Sequence, residues 1–193
     1  MKKSILLAGV GGQGVITAAN IIANAALIEG HKVITSELHG MAQRGGDVKC
    51  AIRIGNVYSP IIPPQTADAI ISLEPMEALR NLNVVSKKGV VITDINPIYP
   101  PLTSIGIGKY PSLNDIFEKI EKHCRLVKIN ADELAKKAGS ILTKNIVMIG
   151  SFYALDIFPL ERKSIIQSIS QNIKKEYVDM NIKAFEIGEK EIK

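Results

Sequence analysis

Gly9-Val10-Gly11-Gly12-Gln13-Gly14 separates a short apolar segment, Ser4 to Ala8, from a longer segment rich in Ala and Ile. The spacing of its glycines, G-x-G-x-x-G, is typical of the turn that joins the first strand of a Rossmann-like domain to its first helix. There the first glycine permits the tight turn, the second leaves room for a ligand, and the third lets helix and strand pack closely. The sequence therefore predicts strand, glycine turn and helix at its start.

Strand-like and helix-like segments alternate after the glycine turn. Strands are predicted at 4–8, 32–36, 48–54, 69–73, 89–93 and 126–129, and helices at 15–29, 75–82, 112–123, 131–138, 144–156, 160–173 and 177–188. We expect the first two strands to form a parallel pair. Gly55-Asn56 is a hairpin signal before Val57-Tyr58. The pattern predicts one domain over residues 1–193, a Rossmann-like α/β fold with a mostly parallel sheet, an inserted β-hairpin and a helical C-terminal layer.

Composition narrows the classes of function. The 193 residues are 46% hydrophobic and 22% charged, as in soluble globular proteins. The N-terminal apolar run breaks at Gly9, too early for a signal peptide, and no segment approaches the roughly 20 apolar residues of a membrane span. We therefore expect a cytoplasmic protein without membrane contact. The net charge of +5 comes from scattered lysines, with only 5% aromatic residues, so we expect no nucleic-acid binding.

The two cysteines, Cys50 and Cys124, are too few for an iron–sulfur cluster, which needs four ligands. They also lack the CxxC spacing of a zinc or redox motif. We expect both to be buried thiols in a reducing compartment. The sequence thus predicts no metal bound by this chain.

The glycine turn alone leaves several functions open. Its exposed N–H groups and the helix dipole favour an anion. Glu37 lies 23 residues beyond Gly14, roughly where an NAD-binding domain carries its ribose-binding acid. A free-standing nucleotide-binding Rossmann protein is therefore an alternative, although the residues after Glu37 do not resemble the expected helix. A glycine turn that serves only for packing is another.

A second glycine-rich segment, His39 to Asp47, concentrates groups able to contact a ligand. Arg44 has a planar guanidinium suited to phosphate or carboxylate, and the neighbouring glycines permit backbone turns. The alternative is a connection whose Arg and Asp form structural ion pairs. His39 could transfer a proton, but no second acid or nucleophile lies near it in sequence. We therefore predict no catalytic residue in this chain.

Together these two segments resemble a known family. The glycine turn followed by Thr17-Ala18-Ala19 resembles the start of the gamma-type domain of 2-oxoacid:ferredoxin oxidoreductases. Residues 36–46, Ser-Glu-Leu-His-Gly-Met-Ala-Gln-Arg-Gly-Gly, are similar to the version found in the beta subunits of indolepyruvate oxidoreductases. The resemblance continues at 52–55, 59–60, 62–63, 67–68 and 73–75, is strong over residues 1–95, and becomes looser beyond. Gln65 departs from an expected glycine.

The resemblance implies a small subunit of a complex that oxidatively decarboxylates a 2-oxoacid and transfers the acyl group to coenzyme A. Thiamine diphosphate, Mg and Fe–S clusters are then expected in a large partner subunit and not in this chain. The two subunits are expected to form an α2β2 complex that reduces ferredoxin. The substrate would be indolepyruvate or another aryl pyruvate, with pyruvate or a branched-chain 2-oxoacid as alternatives. The predicted cofactor-binding residues are Gly9, Gly11, Gly12, Gln13, Gly14, Arg44, Gly45 and Gly46, and the predicted partner or ligand contacts are His39, Met41 and Gln43.

Overall fold

The protein is described here by a computed structural model that covers residues 2–40, 42, 44–100, 103, 106, 108–158 and 160–192. The strands are β1 (Lys2–Val10), β2 (Val33–His39), β3 (Asp47–Gly55), β4 (Ala67–Ser72), β5 (Val85–Asp94) and β6 (Arg125–Ile129). The helices are α1 (Val15–Ile28), α2 (Pro75–Arg80), α3 (Leu113–Glu121), α4 (Ala131–Ala138), α5 (Lys144–Ala154), α6 (Arg162–Asn172) and α7 (Val178–Ile192). Short 3₁₀ turns, Ile141–Thr143 and Lys175–Tyr177, precede α5 and α7.

The strands form one six-stranded sheet in the order β2-β3-β1-β4-β5-β6. β1, β4, β5 and β6 are parallel neighbours, which confirms the mostly parallel sheet. The predicted parallel pairing of the first two strands is wrong, because β3 lies between β1 and β2 and is antiparallel to both. β3 is buried along most of its length and therefore needs a neighbour on each side, whereas the partly exposed β2 tolerates the edge of the sheet.

The inserted hairpin is present, but its turn differs from the prediction. β2 and β3 are joined through residues 40–46, and Gly55-Asn56 is not a hairpin turn. Gly55 instead ends β3 with a φ of 95°, and its N–H donates to the Lys32 carbonyl at 2.8 Å. The left-handed backbone at Gly55 explains the turn-like dipeptide, while Val57 and Tyr58 belong to no strand.

Helices cover both faces of the sheet. α1 and the C-terminal helices α4 to α7 bury one face in the larger core, which confirms the helical C-terminal layer. α2 and α3 cover the other face, where their apolar side chains surround Ile70 and Val91. Among the residues described, no helix is both long enough and apolar enough to span a bilayer.

The helix ends follow the local sequence closely. Ser112 caps α3 by accepting a hydrogen bond from the Asp115 N–H, and Pro75 occupies the first turn of α2, both as predicted. Both cysteines are buried free thiols, also as predicted. Burial, with a smaller contribution from Glu37, raises the pKa of the Cys50 thiol to about 12.

Candidate functional site

A cleft of about 720 Å³ opens beside the glycine turn, where parallel strands end. Ligands of open α/β sheets bind at this edge because helix N-termini and loops converge there. Gly12 and Gly14 form part of the wall, and the start of α5 forms another part. We take this cleft as the candidate site.

The glycine turn is held by its own glutamine. The Gln13 side-chain oxygen accepts a hydrogen bond from the Val10 N–H at 2.7 Å, and its amide nitrogen donates to the Leu73 carbonyl at 2.7 Å. Gln13 therefore ties the turn to the chain that leaves β4. Gly9 lies inside β1 rather than in the turn, and a Cβ there would come within 2.8 Å of the Gln13 oxygen. Close packing explains this glycine.

Gly14 has a left-handed backbone with φ 79° and ψ 29° at the N-cap of α1, which has no side-chain cap and no acid in its first turn. Its carbonyl oxygen accepts hydrogen bonds from the Ala18 N–H at 3.0 Å and from the Asn145 side chain at 3.1 Å. A Cβ on Gly14 would lie 2.6 Å from the Asn145 amide nitrogen. The turn is therefore packed tightly against the start of α5.

A buried charge cluster of Lys144, Asp94 and Asp132, which the sequence analysis did not predict, contributes Lys144 and Asp132 to the wall of the same cleft. Lys144, with a side chain only 12% exposed, forms ion pairs with Asp94 and, at 2.7 Å, with Asp132. Asp94 is fully buried and also accepts hydrogen bonds from the Asn96 side chain and the Ala131 N–H. Burial raises the pKa of Asp94 above its usual value, an effect that Lys144 partly offsets.

One member of this cluster had a signal in the sequence. Asp94 is the last residue of β5, after its buried apolar residues, and polar residues at the carboxyl ends of parallel strands commonly face a ligand site. Lys144 and Asp132 gave no comparable signal, because only the packing of α4 and α5 brings them to Asp94. The rest of the cleft wall is largely apolar and includes Ile98, Ile141, Leu142, Ile173, Tyr177 and Met180.

The segment after β2 lies on the other side of the glycine turn. The Gly11 N–H donates to the Gly46 carbonyl at 2.8 Å, and the Gly45 N–H donates to the Gly11 carbonyl at 3.3 Å. These bonds bring together the two glycine-rich segments and use the Gly11 amide internally. Arg44 is exposed in the turn before Gly45. Met41 and Gln43 lie outside the described residues.

His39 lines a second, smaller recess of about 350 Å³ together with Val10, Val15, Ile16 and Val48. The His39 ring is exposed and its Nδ1 lies 3.3 Å from the Gly40 carbonyl oxygen. The recess is mainly apolar, so it is suited to an apolar group rather than to proton transfer. α1 contributes to this recess, but most of its apolar surface is covered within the chain by α5, α6 and the sheet.

Glu37 does not lie where an NAD-binding acid would lie. It is on the edge strand β2, opposite Cys50 of β3, and β3 separates it from β1. Since neighbouring strands are about 4.8 Å apart, two strand spacings lie between β2 and β1. Glu37 lines neither the cleft nor the second recess.

A further polar cluster lies beyond the end of β4. Glu74 is buried and caps α2 by accepting a hydrogen bond from the Glu77 N–H at 2.9 Å, while its other oxygen accepts from the Tyr110 hydroxyl at 2.6 Å. Burial is the main reason that the pKa values of Glu77 and Tyr110 are raised. These contacts tie α2 to the segment before α3.

Comparison with known proteins gives consistent matches along the chain. The protein family described as Pyruvate ferredoxin/flavodoxin oxidoreductase matches residues 4–191. Indolepyruvate oxidoreductase subunit IorB of Archaeoglobus fulgidus is 42% identical over 189 residues, covering 97% of this chain and 94% of that protein. The subunit of the same name from Pyrococcus horikoshii is 41% identical over 193 residues, covering 98% and 96%.

A solved structure has the same fold. It is a 2-oxoglutarate:ferredoxin oxidoreductase from Magnetococcus marinus with 2-oxoglutarate, coenzyme A and succinyl-CoA bound. The TM-score is 0.75 at 22% identity, and the match covers 99% of this chain and 31% of that longer chain. The domain fold therefore also occurs as one part of a larger polypeptide.

Proposed function

Because this chain belongs to the pyruvate ferredoxin/flavodoxin oxidoreductase family, we propose that it is the small subunit of an indolepyruvate:ferredoxin oxidoreductase. The observation that carries the proposal is the 42% identity, over 97% of the chain, to a subunit named for indolepyruvate. The substrate is indolepyruvate or a related aryl pyruvate, and the complex is cytoplasmic and has α2β2 stoichiometry.

The redox groups belong to a large partner subunit in this proposal. Thiamine diphosphate with Mg would supply decarboxylation there, and Fe–S clusters would pass electrons to ferredoxin. The two cysteines of this chain are too few for a cluster, and the described residues include no group of three or more His, Cys, Asp or Glu side chains suited to a metal. In this proposal the role of this chain is to bind and position coenzyme A.

Coenzyme A is the ligand that we propose for the cleft. The cleft combines an uncapped helix N-terminus, the exposed Lys174 and amide side chains with an apolar wall. Phosphate groups suit the first part, and a pantetheine arm suits the second. A solved protein that contains the same fold has coenzyme A bound, which is consistent with this choice of ligand. Gly12 and Gly14 face the ligand, while Gln13 holds the turn from behind.

The segment on the other side of the turn contributes through Arg44, Gly45 and Gly46, which we place against a coenzyme A phosphate or against the partner subunit. We assign the apolar recess beside His39 to the partner, because it is mainly apolar and adjoins the glycine turn. A free-standing NAD-binding role is disfavoured by the position of Glu37, two strands away from β1.

Reconstitution with the large subunit tests the function. The chain is co-expressed with that subunit, and reduction of a viologen dye is followed with coenzyme A and one 2-oxoacid at a time. We expect faster turnover with indolepyruvate than with pyruvate or 2-oxoisovalerate, and loss of coenzyme A-dependent activity when this chain is omitted. Equal rates without the chain would refute the proposal, and a preference for pyruvate would reassign the substrate.

Two further measurements, one of mass and one of NADH binding, complete this test. Light scattering of the purified complex should give the mass of two copies of each subunit. Titration of the isolated chain with NADH should give no micromolar binding, because such binding would support the free-standing nucleotide-binding alternative instead.

A further inference from the structure

Asn145 joins two parts of the candidate site that are 131 positions apart in sequence. It lies in the first turn of α5 and is only 6% exposed. Its amide nitrogen donates to the Gly14 carbonyl oxygen at 3.1 Å. Because Gly14 has no side chain and its backbone is left-handed, the Asn145 amide packs directly against the glycine turn.

The start of α5, which carries Asn145, is anchored to several neighbouring elements. The preceding residue, Lys144, anchors the start of α5 to Asp94 at the end of β5 and to Asp132 on α4. Further along α5, Gly150 packs against the backbone of α7. The position of the Asn145 side chain is therefore set by the sheet and by two neighbouring helices.

The glycine turn is consequently held from two sides. Gln13 ties it to Leu73 beyond β4, and Asn145 ties it to α5. Gly12 lies between these two anchors with a φ of 102°, and a Cβ on it would meet nothing within 4 Å. The two anchors leave the backbone of Gly12 facing open space, where a ligand can approach it.

We propose that Asn145 is a positioning residue, which holds the Gly12–Gly14 backbone in the conformation that receives coenzyme A. The inference rests on the proposed function, since the ligand is the one assigned there. Asn145→Asp is nearly isosteric, but a carboxylate cannot donate to the Gly14 carbonyl and places a negative oxygen against it. The variant therefore perturbs the turn while changing the volume little.

A matched control is available on the opposite face of the sheet. Asn81 is 4% exposed, and its amide nitrogen also donates to a backbone carbonyl, that of Glu77, at 2.7 Å. Asn81→Asp removes the same kind of buried hydrogen bond away from the cleft. Asn145→Ser, which keeps a donor with a shorter reach, serves as a milder variant if Asn145→Asp does not fold.

The experiment measures steady-state kinetics of the reconstituted complex. We expect Asn145→Asp to raise the KM for coenzyme A at least tenfold, with kcat and the KM for the 2-oxoacid within twofold of the wild type. The KM for coenzyme A of Asn145→Ser should lie between those of the wild type and Asn145→Asp. Asn81→Asp should leave the KM for coenzyme A unchanged. In the isolated chain, hydrogen exchange should be faster in Asn145→Asp at the Gln13 and Ala18 N–H groups, which donate to the Val10 and Gly14 carbonyls.

Two results would overturn the inference. One is an unchanged KM for coenzyme A in folded complexes of both Asn145 variants. The other is a loss of kcat and thermal stability in Asn145→Asp that matches Asn81→Asp, with no selective change in KM. A wild-type complex that does not assemble, or that needs no coenzyme A, would instead refute the proposed function.

Discussion

Gly150 of α5 and Gly188 of α7 meet where the two helices cross, with each glycine lying against the backbone of the other helix. A Cβ on Gly150 would overlap the Phe185 carbonyl oxygen, and a Cβ on Gly188 would overlap the Val147 carbonyl oxygen. The Ser151 hydroxyl also donates to the Gly188 carbonyl at 3.1 Å. This crossing sets the distance between α5 and α7 and thereby supports the start of α5 at the cleft.

Gly150→Ala and Gly188→Ala should therefore each destabilise the chain. The added methyl group meets backbone, which cannot rotate away, so we expect a loss of about 2–3 kcal/mol in the free energy of unfolding. Alanine gains only about 1 kcal/mol in helix propensity, which does not offset the overlap. Urea denaturation measures the loss. Ser170→Ala, on the exposed face of α6, is the control, and losses no larger than in this control would contradict the packing described.

Glu77 should make stability fall as pH rises. Its side chain is 5% exposed, and one carboxylate oxygen has no hydrogen-bond partner among the described residues. Burial raises the pKa of Glu77 above its usual value of 4.5, so the folded state binds the proton more tightly than the unfolded state. The contribution of this group is complete below pH 4.5 and is lost as pH rises through the folded-state pKa.

Glu77→Gln should remove that dependence. We expect the variant to be more stable than the wild type by about 1 kcal/mol at pH 7, with the difference shrinking toward pH 4. Unfolding free energies measured by urea denaturation across this range test the sign. Glu118→Gln, on the exposed face of α3, should follow the wild type, and parallel curves for Glu77→Gln and the wild type would count against the prediction.

Lys144→Met should destabilise the folded chain more than Asp132→Asn. It leaves the fully buried Asp94 without its cationic partner, and removal of one member of a buried pair costs about 3–5 kcal/mol. Asp132→Asn should cost much less, since Asp132 is 33% exposed and Asp94 still neutralises Lys144. Thermal denaturation of both variants measures the difference. Similar losses for the two would show that the ion pair with Asp94 is not the dominant one.

Arg44→Ala should change ligand or partner binding without changing the fold. Arg44 is exposed, so its removal should alter the free energy of unfolding by no more than about 0.5 kcal/mol. If it contacts a phosphate or the large subunit, the KM for coenzyme A or the dissociation constant of the two subunits should rise. Arg125→Ala, exposed on the opposite edge strand β6, is the control. Unchanged values for both quantities would remove Arg44 from the site.

The sequence predicted local structure well and strand pairing less well. Buried runs such as those of β4 and β5 identify strands because their burial requires apolar residues at successive positions. The position of β3 between β1 and β2 depends on contacts between distant residues, which no local pattern encodes. The same limit applies to the cluster of Lys144 with Asp94 and Asp132, which only the tertiary fold brings together.

The glycine turn illustrates a second limit. Its spacing correctly located the junction of β1 and α1, but spacing does not reveal where side chains point. The motif predicts that Gln13 binds a ligand, but it does not predict that both ends of the Gln13 side-chain amide bond the backbone of Val10 and Leu73. Asn145 was not predicted because its contact with Gly14 crosses most of the chain.

Gly12→Ala and Gly14→Ala should separate ligand binding from stability. Both glycines have positive φ, so alanine adds backbone strain of about 1–2 kcal/mol at either position. Only at Gly14 does the methyl group also collide, 2.6 Å from the Asn145 amide nitrogen, whereas at Gly12 it projects into open space. We therefore expect Gly14→Ala to lower the melting temperature more than Gly12→Ala.

The effect of Gly12→Ala on the KM for coenzyme A should be large even though its effect on stability is small. In Gly12→Ala the methyl group occupies space that the ligand would use, so the KM for coenzyme A should rise at least tenfold although most of the stability is kept. Gly30→Ala is the control, because Gly30 also has positive φ and open space but lies beyond the far end of α1. It should carry a similar strain with an unchanged KM. If Gly12→Ala and Gly30→Ala behave alike in both measurements, the glycine turn does not face the ligand.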